Sequence, residues 1–505
     1  MQSHFTTLDG MVLAGYFVLT MAVGFAFWRR SRSVEGFTAA ERCLPGWLCG
    51  LSILGTYVSS ISFLALPGKA YASNWNAFVF SLSLPLATWI GVKYFLPFYR
   101  QHGDVSAYTH LEERFGAWAR AYAGSCYLLT QLARVGTVTY LMALPMSVLL
   151  GWDIRWVIVL TGITTTAYTF VGGIVAVIWT DAIQTVILIF GALLCVAMML
   201  TGLPGGVAQL FHIAAEHHKF GLGSFGPSLA TPTFWVVLAY GLVINLQNFG
   251  VDQNYVQRYI TAANDREAAK SLWIGGLLYI PLSAVFFLIG TTLFVYYTIH
   301  ANSLPPAYRG ADMADSVFPY FIISVLPPGV TGLLIAAIFA AAMSTIASSL
   351  NSSATVVLND FYRRHLRPDA GQERSMRVLY TATLIWGVGG TLIALAMTHV
   401  RSALDAWWSL AGIFGGGMLG LFMLGRLSCR VTSGRALAAT VGGIALIFWM
   451  SLSPRWSGTL LAWRSPFHDF LIIVFGTATI LLLGFLFTLF LPVNRRRLAD
   501  DEAKR

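Results

Sequence analysis

The sequence predicts an all-α polytopic membrane protein with about 13 transmembrane helices. Of its 505 residues, 56% are hydrophobic and only 11% are charged, and the mean hydropathy is +0.68. Soluble globular chains carry about 25% charged residues. Because about 20 apolar residues cross a bilayer as a helix, we identify the spans as segments 8–28, 47–69, 75–98, 119–149, 154–171, 176–202, 233–256, 270–298, 317–357, 376–398, 403–425, 434–452 and 468–491.

Two of these segments need comment. Segment 8–28 is interpreted as a membrane helix and not as a cleaved signal, because no basic residues precede it and no small-residue cleavage site follows it. Segment 317–357 is longer than one span requires, and Pro327 and Pro328 interrupt its beginning.

The basic residues predict an N-terminus outside the cell and a C-terminus in the cytoplasm. In that orientation 23 Lys and Arg residues, Arg258 among them, fall in cytoplasmic loops and 7 in external loops, while Lys93 and Arg134 fall inside spans. Positive residues accumulate on the cytoplasmic side of membranes. The net charge of +10 is therefore a topology signal, and no nucleic-acid partner is expected, since the charges are dispersed over short loops.

Arg134 is the most informative residue of the chain, because it lies inside an otherwise apolar span. A cation at membrane depth costs about 2.5–3.5 kcal/mol, so it normally faces a polar cavity or a partner. Asp181 is the comparable anion near a membrane face. It is either an acid favoured by the dipole in the first turns of a helix or a cation ligand. This pair of charges favours a conduit for a polar solute.

Polar residues interrupt the second and seventh spans. The second contains Ser59, Ser60 and Ser62 ahead of Pro67, and the seventh begins its polar run at Asn245. Irregular backbone at membrane depth is tolerated only where it lines protein or a water-filled cavity, and such interruptions in two halves of a chain point to a binding site. The alternative is that the serines bond back to the preceding turn and ease helix packing.

The ninth span carries a second cluster of hydroxyls. Ser344 and Ser348 are four residues apart and share a helix face, as do Thr345 and Ser349. Neutral oxygens in number suit a hard monovalent cation. A small-residue helix interface uses the same residue types, and the residues alone do not decide between these two interpretations.

Cysteine and histidine patterns indicate neither a disulfide framework nor a metal site other than one for sodium. The five cysteines fall in predicted helices or cytoplasmic loops, and most of the ten histidines fall in loops without paired helical spacing. We therefore expect no cofactor and no enzyme activity.

Three segments together resemble the sodium:solute symporter family. They are Tyr168–Gln184, Ala341–Asn351 and the run Asp252-Gln-Asn-Tyr-Val-Gln-Arg258. The resemblance implies thirteen spans, a LeuT-type inverted repeat with discontinuous helices, and coupling to inward sodium movement. Other segments, including Ser59–Ser62, are most similar to bacterial sialic acid symporters.

The resemblance also implies ligands. A sodium site would use backbone oxygens of Gly55, Val58 and Ala341 with the hydroxyls of Ser344 and Thr345. A second sodium site, present in only some members, would use Asp181, Ser344 and Ser348. At one position of that site Ala347 stands where the sialic acid symporters have a serine.

For the solute, the resemblance implies that Ser59, Ser60, Ser62 and Arg134 hold a carboxylate. A guanidinium binds a carboxylate through two charge-assisted hydrogen bonds. Ser81 stands where a glutamine contacts sialic acid in that subgroup, which weakens the assignment to sialic acid. The full set of predicted substrate-binding residues is Ser59, Ser60, Ser62, Ser81, Arg134, Asn245 and Gln247.

The sequence thus predicts a multi-pass symporter of the cytoplasmic membrane that imports an organic acid, such as sialic acid, together with Na⁺. A neutral sugar or a simple monocarboxylate is the alternative solute, and a membrane sensor of the same fold is the alternative class. We expect the bilayer, the solute and Na⁺ as partners, with no obligate protein partner. The expected organisation is one membrane transporter domain over 1–505, with a family core at about 10–430, additional helices at 434–491 and a cytoplasmic tail at 492–505.

Overall fold

The structure is a computed structural model that describes residues 5–310, 313–398, 403–428 and 430–490, apart from the side chains of 148–149, 403–411, 416, 459 and 490. In this part of the chain nine helices are long and apolar enough to cross a membrane, and one bent pair forms a tenth span. The predicted number of about 13 is therefore not confirmed by this count. The predicted tail, 492–505, lies outside the described residues.

The helices, in chain order, are α1 (Thr7–Ala26), α2 (Val34–Ala39), α3 (Gly46–Tyr57), α4 (Ser60–Ala72), α5 (Val79–Leu82), α6 (Leu84–Ile90), α7 (Leu96–His102), α8 (Thr109–Phe115), α9 (Ala117–Leu150), α10 (Ile154–Thr201), α11 (Gly206–Glu216), α12 (Phe234–Val251), α13 (Gln253–Ile260), α14 (Asp265–Ile299), α15 (Ala314–Ser324), α16 (Val330–Val356), α17 (Gln372–Met397), α18 (Ala403–Leu427), α19 (Ser433–Leu452) and α20 (Leu471–Phe490).

Two spans are broken where the sequence places polar residues. The axes of α3 and α4 differ by 58°, because Val58 and Ser59 between them have extended backbone. The second break is at Asp252, which is also extended, and its carboxylate accepts a hydrogen bond from the Asn254 backbone N–H (2.8 Å) at the start of α13. Each break frees backbone groups at membrane depth, and such groups require a cavity or protein partners.

Predicted spans 154–171 and 176–202 form one helical element, α10, that is kinked at Gly173. This glycine has φ 52° and ψ −156°, and a Cβ built on it would lie 2.8 Å from the Phe37 ring. Only glycine adopts this backbone conformation readily. The sequence prediction of two spans therefore corresponds to the two arms of one kinked element.

The predicted ninth span, 317–357, is wrong in its extent. It consists of two helices, α15 and α16, because Pro327 and Pro328 stop the first one and Gly329, with φ 86°, begins the second. α16 continues into a π-helical segment, Val357–Leu366. A proline cannot donate a backbone hydrogen bond and disfavours helical backbone in the preceding residue.

α16 is the most deeply buried span of the described chain. Of its apolar window, 89% is buried, and it packs against α1, α9 and α10. Asp9 caps the N-terminus of α16, because one of its carboxylate oxygens accepts hydrogen bonds from the N–H groups of Gly329 and Gly332 (both 2.7 Å). A negative charge stabilises a helix N-terminus. The helix that carries Ser344 and Thr345 is therefore held rigidly inside the bundle.

Candidate functional site

A cavity of about 620 Å³ lies between the two helix breaks. α9 and α14 complete its walls, together with α12. The lining residues from these elements are Tyr57, Ser59, Ile61, Ser62, Thr130, Gln131, Arg134, Val138, Tyr240, Ile244, Gln247, Asn248, Asp252, Tyr255 and Tyr279. The predicted solute residues Ser59, Ser62, Arg134 and Gln247 are thereby brought to one polar cavity.

Arg134 faces this cavity and not the lipid. Its side chain is half-buried, and Nη2 donates a hydrogen bond to the backbone carbonyl of Thr56 (3.0 Å), in the last turn of α3. Asp252 lines the same cavity. A guanidinium offers five N–H donors, so Arg134 can bind an anion in the cavity while it holds the end of α3.

The structure does not place the other predicted solute residues on the cavity wall. Ser60 donates to the Val138 carbonyl (3.3 Å), and the Ser81 hydroxyl donates to that of Ser283 (3.0 Å). The backbone is extended at Ser59 and becomes helical at Ser60, so the two neighbouring side chains point in different directions and only Ser59 lines the cavity.

Helix geometry separates Asn245 from Gln247. Asn245 is buried, donates to the Ser83 hydroxyl (3.0 Å) and accepts from the Tyr57 hydroxyl (3.2 Å). Two residues along a helix differ by about 200°, so Gln247 points into the cavity and Asn245 into the wall.

Several cavity residues were missed in the sequence analysis. Gln131 lies one turn before Arg134 on α9, a spacing that could have indicated it. Asn248 lies on the same side of α12 as Ile244 and Gln247 and could have been found in the same way. Tyr279 comes from the long apolar α14, and no local signal in the sequence distinguishes it.

Two of the predicted sodium residues, Gly55 on α3 and Ser344 on α16, are in contact, while the bond between Thr345 and Ala341 lies within α16. The Ser344 hydroxyl donates to the Gly55 carbonyl (2.9 Å), and Thr345 donates to the Ala341 carbonyl (3.2 Å). Gly55, Ala341, Ser344 and Thr345 are all buried. Val58, also buried, is where α3 ends. Carbonyls freed by an unwound helix, together with hydroxyls, are ligands typical of Na⁺ sites in transporters.

Gly55 must be small for this arrangement. A Cβ built on it would lie 2.6 Å from the Thr185 hydroxyl oxygen of α10. Substitution would therefore displace α3 from α10. The glycine allows the carbonyl of residue 55 to approach α16 closely.

At the position of the possible second sodium, Asp181 is engaged by an arginine. Asp181 Oδ2 accepts from Arg258 Nη2 (2.8 Å) and from the hydroxyls of Ser52 (2.6 Å) and Ser348 (3.4 Å). Arg258 also donates to the hydroxyl of Ser348. Ala347 provides no hydroxyl. A fixed positive charge thus already lies against the carboxylate.

The assignment of Arg258 to a cytoplasmic loop is wrong. Its side chain is completely inaccessible on α13, as is that of Asp181 on α10. A buried charge is tolerated when it is paired and hydrogen-bonded, and Arg258 has Asp181, Ser52 (2.7 Å) and the Asn254 carbonyl (2.5 Å) as partners.

Interrupted helices that surround a polar cavity define the fold and site of a secondary transporter. The profile of the sodium:solute symporter family matches residues 37–443. The chain belongs to the sodium:solute symporter family. The predicted transporter class, LeuT-type fold and use of Na⁺ as coupling ion are confirmed, and the chain is a multi-pass membrane protein with a small-molecule solute.

The chain is 34% identical to the sodium/sialic acid symporter NanT of Aliivibrio fischeri, covering 99% of this chain and 95% of that protein. It is equally identical to the sodium/sialic acid symporter SiaT of Proteus mirabilis, with 99% of each chain covered. A substrate-bound, outward-open structure of a Na⁺-coupled sialic acid symporter superposes with a TM-score of 0.89 at 31% identity, covering 96% of this chain and 98% of that one.

Proposed function

We propose that this protein imports an organic acid together with Na⁺, and that the acid is a sugar acid such as N-acetylneuraminate. One relationship carries the proposal. The Gly55 carbonyl accepts from Ser344 at the candidate sodium site, and the adjacent Thr56 carbonyl accepts from Arg134 at the cavity. Two consecutive peptide groups at the end of α3 thus connect the ion ligands to the solute ligand.

This connection supplies a physical basis for coupling. Na⁺ bound by the carbonyl of Gly55 and the hydroxyl of Ser344 would fix the last turn of α3. The Thr56 carbonyl, and with it Arg134, would then be held in place for the solute. Such coupling is about 1–3 kcal/mol in known systems and is reciprocal, so the solute must also increase the affinity for Na⁺.

The charge of Arg134 supports an acid as the solute. The side chain faces a cavity that also contains the hydroxyls of Ser59 and Ser62. A carboxylate can accept bidentate hydrogen bonds from the guanidinium, while serine hydroxyls complete the contacts to its oxygens. A neutral sugar could not form this charge-assisted bidentate contact with the guanidinium.

The remaining lining supports a hydroxylated acid over a simple monocarboxylate. Asp252 presents an acceptor to the cavity, and Gln247 Oε1 is buried with no hydrogen-bond partner in the described chain. The Asp252 carboxylate and Gln247 Oε1 can accept hydrogen bonds from the hydroxyl or amide N–H groups of an acidic sugar. The whole cavity, with its outer part, has a volume of about 620 Å³, within the range of about 300–1,000 Å³ that small-molecule sites occupy.

We propose that one Na⁺ accompanies each solute molecule. Arg258 supplies the positive charge beside Asp181, and Ala347 lacks the hydroxyl that a second site would need. The sodium ligands proposed are Gly55, Val58, Ala341, Ser344 and Thr345.

The proposed location is the cytoplasmic membrane, with the N-terminus outside and the C-terminus inside. In this orientation the α19–α20 connection is external, and the cavity extends to its residues Arg455 and Asp469. The described conformation then opens toward the outside, as an importer must before it loads.

The test is uptake by purified protein in proteoliposomes with an inward Na⁺ gradient. Labelled N-acetylneuraminate should accumulate with Na⁺ and not with K⁺. Unlabelled N-acetylneuraminate should compete, while its neutral methyl ester and glucose should not. Competition by the ester as strong as by the acid would refute recognition of the carboxylate. Accumulation of lactate in preference to the sugar acid would favour the monocarboxylate alternative.

A further inference from the structure

The cavity extends beyond the candidate solute site to a wall built by the last two described helices. Ser451 on α19, Arg455 in the turn that follows it, and Asp469 just before α20 all line this outer part. These residues lie beyond residue 443, where the match to the family profile ends. The outer wall therefore lies outside the matched family core, although the sialic acid symporters named above align with 99% of this chain.

The turn that carries Arg455 is held in place by hydrogen bonds. The Ser453 hydroxyl accepts from the Ser465 N–H (2.9 Å), and the Ser453 carbonyl accepts from the Trp456 N–H (3.0 Å). Arg464 in the same connection donates Nε to the Trp456 carbonyl (2.8 Å). Arg455 is exposed to the cavity, and its guanidinium has no hydrogen bond or ion pair with any residue that the structure describes.

A second group beside Arg455 lacks a partner. The hydroxyl oxygen of Ser451 is buried, and among the described residues nothing accepts from it or donates to it. Ser451 lies in the last turn of α19 and Arg455 in the turn that follows, and both line the outer part of the cavity. A buried hydroxyl without a hydrogen bond is destabilising unless a ligand supplies the partner. A donor hydroxyl next to a guanidinium is suited to an anionic oxygen.

Aromatic rings and one acid complete the outer part. The Tyr240 and Phe470 rings stack with centroids 4.6 Å apart and provide an apolar face. Asp469 offers a carboxylate, which repels an anion but accepts from hydroxyl or amide groups of the same molecule. This combination of cation, hydroxyl, ring face and acceptor resembles the chemistry around Arg134.

We propose that Arg455 and Ser451 form an outer subsite that binds the carboxylate of the solute before Arg134 receives it. This inference rests on the proposed function, since it assumes an acidic solute. A positive charge in a cleft with low-dielectric walls concentrates anions and accelerates association by about 10–10³-fold. Charges at the rim of a binding site mainly affect the association rate and its salt dependence. The outer subsite therefore acts on capture of the solute and not on its translocation.

The test compares Arg455→Gln with Arg309→Gln, an exposed arginine that is bound to backbone carbonyls of another connection and does not line the cavity. In Na⁺-driven uptake of N-acetylneuraminate, R455Q should raise KM about five- to tenfold, within the range of electrostatic steering, and leave Vmax within about twofold. R309Q should keep the wild-type KM. Raising the ionic strength with choline chloride at constant Na⁺ should raise KM of the wild type more than that of R455Q.

An unchanged KM in R455Q would overturn the proposal. A fall of Vmax in both R455Q and Asp469→Asn, at constant KM, would also overturn it, because the two residues would then act as a gate pair that closes over the cavity. Monodispersity and melting temperature of each variant separate these outcomes from misfolding. If the wild-type protein shows no Na⁺-dependent uptake, the proposed function itself is contradicted. If the wild type transports normally and R455Q has the same KM, only the outer subsite is contradicted.

A binding measurement gives a second readout that does not require transport. With Arg134→Gln protein in nanodiscs, saturation-transfer NMR should still detect millimolar N-acetylneuraminate at the outer subsite. The signal should disappear in the Arg134→Gln/Arg455→Gln double variant and should be absent for the neutral methyl ester. Equal signals from the single and the double variant would contradict an outer subsite.

Discussion

The hydroxyl of Ser344 on α16 donates a hydrogen bond of 2.9 Å to the carbonyl of Gly55 on α3. This contact joins the most deeply buried span to the last turn before the first helix break. α16 is fixed by its surroundings, while α3 ends in free carbonyls. An ion between them would therefore act on α3.

Ser344→Ala should raise the Na⁺ concentration for half-maximal uptake and weaken solute binding as well. The reason is reciprocal coupling, with an expected loss of about 1–3 kcal/mol on the solute side. Na⁺ titrations of uptake and of solute binding measure the two effects. Ser353→Ala is the matched control, because Ser353 is a buried serine of α16 whose hydroxyl has no hydrogen bond within the described chain. A loss in Na⁺ affinity without any loss in solute affinity would contradict coupling through α3.

Arg134→Gln should weaken N-acetylneuraminate binding about 10- to 100-fold. Hydrogen bonds to charged groups contribute about 1.5–3 kcal/mol, and about 1.4 kcal/mol corresponds to a factor of ten. Equilibrium binding of the labelled acid in detergent measures the change. Arg134→Lys should recover only part of the affinity, because an ammonium cannot form the bidentate contact. Wild-type affinity in either variant would remove Arg134 from the solute site.

Asp181→Asn should destabilise the protein, since it leaves the Arg258 charge unpaired in a site without solvent. Removal of one partner from a buried pair costs about 3–5 kcal/mol. The double variant Asp181→Leu/Arg258→Met should unfold at a higher temperature than Asp181→Asn, because no buried charge remains. Thermal unfolding monitored by tryptophan fluorescence gives both values. A double variant less stable than the single variant would show that the pair has a further role.

Transport of a monoanionic acid with one Na⁺ should carry no net charge. Uptake should therefore respond little to a potassium diffusion potential set with valinomycin. A second ion would add about 2.3 kcal/mol of driving force per 100 mV and make uptake rise at inside-negative potentials. Stimulation by that potential would therefore refute the one-ion proposal and place a cation beside Asp181 in spite of Arg258.

The buried ammonium of Lys219 predicts that the stability of the fold depends on pH. Lys219 lies in the connection after α11, where its ammonium donates to the carbonyls of Tyr71 (2.7 Å) and Ser73 (3.0 Å) at the end of α4. Burial lowers the pKa of Lys219 from 10.5 to about 8. The unfolded chain thus binds the proton more tightly, so this residue destabilises the fold fully below pH 8 and progressively less as the pH rises to 10.5.

Lys219→Met removes the titration and measures its contribution. The melting temperature of the wild type should rise relative to that of K219M as the pH increases from 8 to 10.5. Lys93→Met serves as a control, because the Lys93 ammonium lies over the rings of Trp89 and Tyr94 and not at the end of α4. A difference between wild type and K219M that is independent of pH would contradict the lowered pKa.

Composition and spacing were sufficient to predict the class of protein, the two interrupted helices and the cavity position of Arg134. Each of these follows from local chemistry. Apolar segments of about 20 residues must span a bilayer, and a cation or a run of polar residues within such a segment must find a polar cavity. Ser59, Ser62 and Gln247 follow from the same rule.

Only the tertiary structure decided which polar residues turn toward each other. Arg258 looks like a loop cation in the sequence, yet α13 folds inward and places it against Asp181 from a helix 77 residues away along the chain. Ser60, Ser81 and Asn245 resemble their neighbours in type but bond to adjacent helices, because the local backbone sets their direction. The outer wall with Arg455 depends on where α19 and α20 pack. Such long-range pairings are governed by the packing of whole helices, which no local pattern encodes.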